Sequence, residues 1–249
     1  MKLFLIPVVL SSPVKIINGK SASDGQFPHQ VTLKKSNGSH YCGGSIVSTL
    51  KVMTSASCHQ TSSAGLQAGA GSVRINSQRQ TRSISGQLRH PEFNAQLIDF
   101  DFMIVSVASP WKVDRYAAPI KLPLIEEDEL PMHTSVTTSG YGYTELIGGF
   151  PAVLASTLKY LEMEYIERTM CRSLYPRNHI GYYQVCALAD NATPCSGDTG
   201  GPLTIRQGGE MRLLGNMSWA QSKCKTGSYP AVFSNNADPD IHTWITRHL

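Results

Sequence analysis

Cys195-Ser-Gly-Asp-Thr-Gly-Gly-Pro202 is the stretch on which the reading of this chain turns. Its three glycines have no Cβ, so the backbone can bend until successive N–H groups converge on one small volume. A developing oxyanion needs donors in that arrangement, and the amides of Gly197 and Thr199 are the candidates to supply them. Working outward, short apolar and β-branched runs recur between turn residues: His29-Gln-Val-Thr-Leu33, Gly44-Ser-Ile-Val-Ser48 and Phe102-Met-Ile-Val-Ser-Val107. That pattern predicts an all-β body.

Composition agrees. Charged residues make up 16 % of the 249, and 44 Ser and Thr outnumber the 40 charged side chains, which favours strands and polar turns over long helices. A net charge of +4 is too mild to argue for nucleic acid. Met1-Lys2, the apolar run Leu3 to Leu10 and Ser11-Ser12 resemble a compact secretory signal; eight apolar residues are too few to span a bilayer. Six cysteines suit the oxidising route that such a signal implies. The expectation is a secreted, monomeric protein with no cofactor, no bound metal and no membrane partner. A Pro-punctuated stretch from Pro110 to Pro131, with the acidic run Glu126 to Glu129 inside it, reads as a crossing between two halves. One helix is signalled at the end: Asp238 as N-cap, Pro239 at the first helical position, then Ile241, Trp244 and Ile245 on one face.

With these motifs in order, the chain resembles the trypsin-like serine proteases of the chymotrypsin fold from Ile16 to Leu249. The 195–202 motif carries the likeness, with Thr199 where the family has its nucleophilic Ser. Ile16-Ile-Asn-Gly19 after Lys15, His40-Tyr-Cys-Gly-Gly-Ser45, Thr138-Ser-Gly-Tyr-Gly142, Ser218-Trp219 and Pro230-Ala-Val-Phe233 extend it. The resemblance implies two antiparallel six-stranded β-barrels. Residues 1–15 would be signal and short propeptide, 16–120 the first barrel, 121–237 the second and 238–249 the terminal helix. Six cysteines allow fifteen pairings; the resemblance implies Cys42 with Cys58, Cys171 with Cys186, and Cys195 with Cys224. It also implies activation by cleavage after Lys15, freeing an ammonium at Ile16 that buries against Asp198.

The departures bear on function. The family places its catalytic His immediately before the cysteine of the first disulfide; in Thr54-Ser-Ala-Ser-Cys58 that position is Ser57. A hydroxyl cannot accept a nucleophile's proton near neutral pH. Asp101 keeps its family identity with no imidazole to orient. Thr199 adds a β-methyl that stiffens χ1 and crowds the approach to a carbonyl. Six residues before it, where trypsins carry the Asp that reads basic side chains, stands Thr193, and Ala220 and Ala231 replace pocket-wall glycines. His40 and His59 are the histidines to consider as surrogate bases, whereas His29 and His90 read as packing or surface residues.

The doubly replaced triad further resembles the inactivated serine protease paralogues of scabies mites. That implies a protein that blocks host defence by binding host proteins, chiefly complement components. Two other classes compete: a residual hydrolase using Thr199, and a decoy that holds protease inhibitors or substrates in the old cleft. Arg74, Arg79, Arg82, Arg89 and His90 fall within seventeen residues free of acids, a candidate basic patch for an acidic partner. Asn37 and Asn191 head sequons open to glycosylation, while a third, at Asn216, falls in an expected inner strand.

Overall fold

A computed structural model describes residues 16, 18–124, 130–147, 150–221, 224, 227 and 229–249. The proposed signal and propeptide, with Lys15, and the acidic run Glu126 to Glu129 lie outside the described residues. After a two-residue strand β1 (Lys20–Ser21), six strands close a first barrel: β2 (Gln30–Lys34), β3 (His40–Ile46), β4 (Lys51–Thr54), β5 (Gln67–Ala70), β6 (Gln80–Arg89) and β7 (Met103–Val107). Their order around the barrel is β2-β3-β4-β7-β6-β5. The second half holds β8 (Ser135–Gly140), a separate hairpin of β9 (Tyr143–Ile147) and β10 (Phe150–Leu154), then β11 (Lys159–Ile166), helix α1 (Arg168–Leu174), β12 (Gln184–Leu188), β13 (Pro202–Gln207), β14 (Glu210–Trp219) and β15 (Ala231–Asn235). Six of these run β8-β11-β12-β15-β14-β13 and back to β8, a second closed antiparallel barrel, with β1 added on the outside of β11.

Period-two patterning builds both barrels. In β11, Lys159, Leu161, Met163 and Tyr165 are buried while Glu162 and Glu164 face water. The first core gathers Val31, Leu33, Ile46, Val52, Ile84 and Val105; the second gathers Val136, Leu161, Leu203, Leu214 and Phe233, with Ile16 also buried there. Strand β3 stops at Ile46, short of the expected Ser48, because Val47 and Ser48 both bond back to Lys51 across the turn into β4. The terminal helix, α2 (Pro239–His248), starts as its sequence dictates: Asp238 Oδ1 accepts from the N–H of Asp240 at 3.0 Å and of Ile241 at 3.1 Å. Its buried face, Ile241 and Ile245, packs in one cluster with Met53, Phe102 and Ile104 of the first barrel and Leu213 of the second, so the helix ties the two halves together. Three disulfides join Cys42 to Cys58, Cys171 to Cys186 and Cys195 to Cys224. No helix among the described residues is long and apolar enough to cross a membrane.

Candidate active-site cleft

The two barrels meet along the loop that follows Cys195. Gly43 N–H of β3 donates to Thr199 C=O at 2.7 Å, and Gly200 N–H donates to Met217 C=O of β14 at 2.7 Å. Gly200 has φ +80°, and a Cβ there would lie 2.0 Å from Thr54 Oγ1 and 2.6 Å from Gly43 O. Both conformation and space therefore demand glycine. Gly200→Ala should lower stability by about 2–4 kcal/mol, combining left-handed strain with overpacking. Gly208→Ala is the control, with φ +58° but open space around the Cβ, and should lose only about 1–2 kcal/mol. Urea unfolding of both variants measures the difference. Gly197, at φ +92°, completes the bend. Among the described residues, the N–H groups of Gly197 and Thr199 have no intramolecular acceptor, so both remain available to an oxyanion.

Ser57 projects from a single 3-10 turn, Ala56–Cys58, and is exposed. Its N–H donates to Asp101 Oδ1 at 2.7 Å and its hydroxyl to Asp101 Oδ2 at 3.1 Å. Ser218 Oγ donates to the same Oδ2 at 2.6 Å, and Ser234 Oγ holds the Asp101 carbonyl at 2.8 Å. Burial raises the Asp101 carboxyl above the usual range, opposed by the hydrogen bonds from Ser218, Ser57 and Ala56. Asp101 is thus held on all sides by hydroxyls and amides, and no histidine bonds to it among the described residues. The clamp from Ser218 and Ser234 is the part sequence reasoning missed. In the sequence Ser218 counts only toward the family likeness, and a contact across 117 residues leaves no trace in spacing.

Among the described residues, neither His40 nor His59 hydrogen-bonds to Asp101 or Thr199 through its ring. His40 Nε2 lies 2.8 Å from Gly197 O, a carbonyl that can only accept, so Nε2 carries the proton and Nδ1 accepts from Thr32 Oγ1 at 2.8 Å. No lone pair is left over. Burial holds this imidazole neutral, its pKa pulled down to about 4. His40 braces the oxyanion loop. His59 leaves the 3-10 turn with extended backbone geometry and is partly exposed.

Asp198 is buried beneath the loop. Its Oδ1 accepts from Gly142 N–H at 2.7 Å and its Oδ2 from Cys195 N–H at 2.9 Å, while burial pushes its pKa up to about 6. A Cβ on Gly140 or Gly142 would fall 2.0 or 2.4 Å from a carboxylate oxygen, which explains the Gly-Tyr-Gly sequence there. At the pocket positions, Thr193 is buried and its hydroxyl turns to its neighbour, donating to Pro194 O at 3.2 Å. Ala231 is fully buried in the second-barrel core, with Ala220 packed against it.

Within the basic stretch, Arg79 and Arg82 already have partners. Arg79 pairs with Asp24 at 3.3 Å and stacks on Tyr116; Arg82 lies over Trp111 and bonds to Pro110 O. Arg82 and Arg89 are seven residues apart on β6, about 23 Å at the rise of a strand. His90 is not a surface group at all. It is buried, stacked 4.9 Å from Phe100, with the tilted ring of Trp244 4.8 Å away. Of the sequons, Asn37 sits exposed in the β2–β3 turn and accepts from Ser39 Oγ at 2.6 Å. Asn191 is exposed at φ +53°, and Asn216 is buried and bonded to Asn236.

Comparison with known proteins agrees with this geometry. The family model described as Trypsin matches residues 16–245. The chain is 30 % identical to a Drosophila erecta protein named Trypsin delta over 241 residues, covering 94 % of this chain and 88 % of the relative. It is 29 % identical to Trypsin alpha-4 of Lucilia cuprina, covering 93 % and 86 %. It is also 31 % identical to Transmembrane protease serine 9 of Rattus norvegicus over 228 residues, which are 88 % of this chain and 21 % of that protein. Two closed six-stranded barrels, three disulfides and a family match from Ile16 almost to the last residue together establish that this chain belongs to the trypsin-like serine protease family.

Proposed function

We propose that the protein is a secreted, catalytically silent member of this family that acts by binding host proteins, complement components first among them. The observation that carries the silence is the occupancy of Asp101. Ser57 donates to it through both amide and hydroxyl, in the place where a general base would stand between Asp101 and Thr199. A hydroxyl that already gives its proton to a carboxylate cannot also draw one from Thr199 near neutral pH. Where the base is absent, an intact oxyanion loop gives binding without turnover.

Secretion rests on the signal-like residues 1–15 and the three disulfides. Host-protein binding rests on the likeness to the mite inactivated paralogues. An exposed Asn37 whose sequon hydroxyl already faces its amide is the glycan site this reading favours. A cleft-based decoy is disfavoured because Ala231, at a position that the resemblance gives to the pocket wall, is buried in the second-barrel core with Ala220 packed against that core. The test is a serum haemolysis assay with the purified protein: a dose-dependent loss of complement lysis is expected, unchanged when a small inhibitor fills the cleft. Full lysis at every dose would remove complement from the account.

A further inference from the structure

The segment that leads into Asp101 is strained. Ile98 sits at φ +53° and Phe100 at φ +50°, in the left-handed region that favours glycine. For a β-branched or aromatic residue this conformation crowds Cβ against the following carbonyl, at a cost of about tenfold in the local equilibrium for each residue. Residues held this way persist only where their surroundings over-determine them.

The surroundings that hold them come from the other half of the chain. Gln184 Nε2 donates to Ile98 O at 2.8 Å, and Gln184 is itself buried and fixed by Gly181 N–H, which donates to its Oε1 at 2.9 Å. His179 Nε2 meets Asp99 Oδ2 at 3.1 Å, and the ring of Phe100 lies 4.1 Å from that of Tyr183. Within the segment, Asn94 and Asp99 exchange N–H···O bonds of 3.0 and 3.2 Å. Residues 94–100 therefore form a strap that leaves the first barrel and is fastened by His179, Tyr183 and Gln184 of the second half, directly beside Asp101. Strain and fastening oppose each other. Relaxing the strap regains two left-handed penalties and loses two hydrogen bonds and a ring contact, terms of similar size, which brings a fastened and a released state close in free energy.

We propose that residues 94–100 are a spring-loaded strap, fastened in this structure and released in a minor state, which opens and closes the gap between the two halves beside Asp101. The strap works in this way whether or not the cleft is catalytic. Asp99 lies between the two strained residues, so relaxing either one turns its peptide groups and breaks the Asn94–Asp99 bridge, whose amides report release. The test is native-state hydrogen exchange of the full chain, followed by NMR at fixed pH and low urea. The amides of Asn94 and Asp99 are expected to exchange through an opening insensitive to urea, at least about tenfold less protected than Val105 in β7, which follows global unfolding. Ile98→Gly and Ile98→Asn both accept a positive φ and should slow exchange at the two amides by about five- to tenfold, whereas Ile98→Val stays β-branched and should change it by less than about threefold. His179→Ala removes one fastener and should speed exchange by about fivefold. The strap lies outside both barrels, so these variants keep the fold, and Val105 checks that in each. Exchange at Asp99 that matches Val105 in rate and urea dependence, or that neither Ile98→Gly nor Ile98→Asn slows, would overturn the proposal.

Discussion

Reverting Ser57→His and Thr199→Ser together is expected to make the protein label with a fluorophosphonate and turn over small apolar substrates slowly, where either single reversion leaves it at background. The backbone is already set for this. Ser57 N–H holds Asp101 Oδ1, so an imidazole at 57 would present its Nδ1–H to Oδ2, where the Ser57 hydroxyl now donates. Members of such a triad act as a unit, and losing one costs on the order of 10⁴ to 10⁶ in turnover; the double revertant should regain roughly 10³-fold or more over each single. Cleavage after Lys or Arg should stay absent. Thr193 brings no carboxylate to the pocket base, and its hydroxyl is turned to Pro194 O. An unpaired buried cation costs several kcal/mol, about a thousandfold or more in specificity. Assays on matched Lys, Arg, Ala and Val substrates decide it: preference for Lys or Arg in the revertant would mean the pocket has been misread.

The second large effect concerns Asp198 and depends on pH. With its pKa pushed up to about 6 by burial, Asp198 in the folded chain stays protonated after its unfolded counterpart, near 3.8, has ionised. The unfolded state then binds fewer protons, so stability falls as pH rises from about 4 to 6, by about 3 kcal/mol in all. Among the described residues no cation pairs with this carboxylate. Cleavage after Lys15 would supply one at Ile16, which is already buried in the second barrel. Protein cleaved after Lys15 should therefore melt roughly 6–12 °C higher than an uncleavable Lys15→Ala form at pH 7, with the gap closing below pH 4. Equal melting curves at pH 7 would show that Asp198 gains no such partner.

How far sequence carried the account differs between fold and site. The all-β body was legible because the short runs that became β2, β3 and β7 report local burial, whereas the two barrels followed from the family resemblance. The terminal helix was legible because its cap is local, with Asp238 two and three residues from the amides it accepts. In the cleft, Ser57 and Thr199 were found by their motifs. What spacing could not show came from strands distant in sequence. Ser218 and Ser234 reach Asp101 across 117 and 133 residues. The same limit holds for the basic stretch: the acid that pairs with Arg79 is Asp24, and the rings that enclose His90 come from the segment just before β7 and from α2. An acid-free window in sequence was not an acid-free surface in space.

The most direct test of catalytic silence is active-site labelling of the purified, Lys15-cleaved protein with a fluorophosphonate, read by intact mass with an active trypsin beside it. The trypsin should gain one label per molecule. This protein should gain none, because Ser57 leaves Thr199 without a base. A stoichiometric adduct mapped to Thr199 would contradict the account.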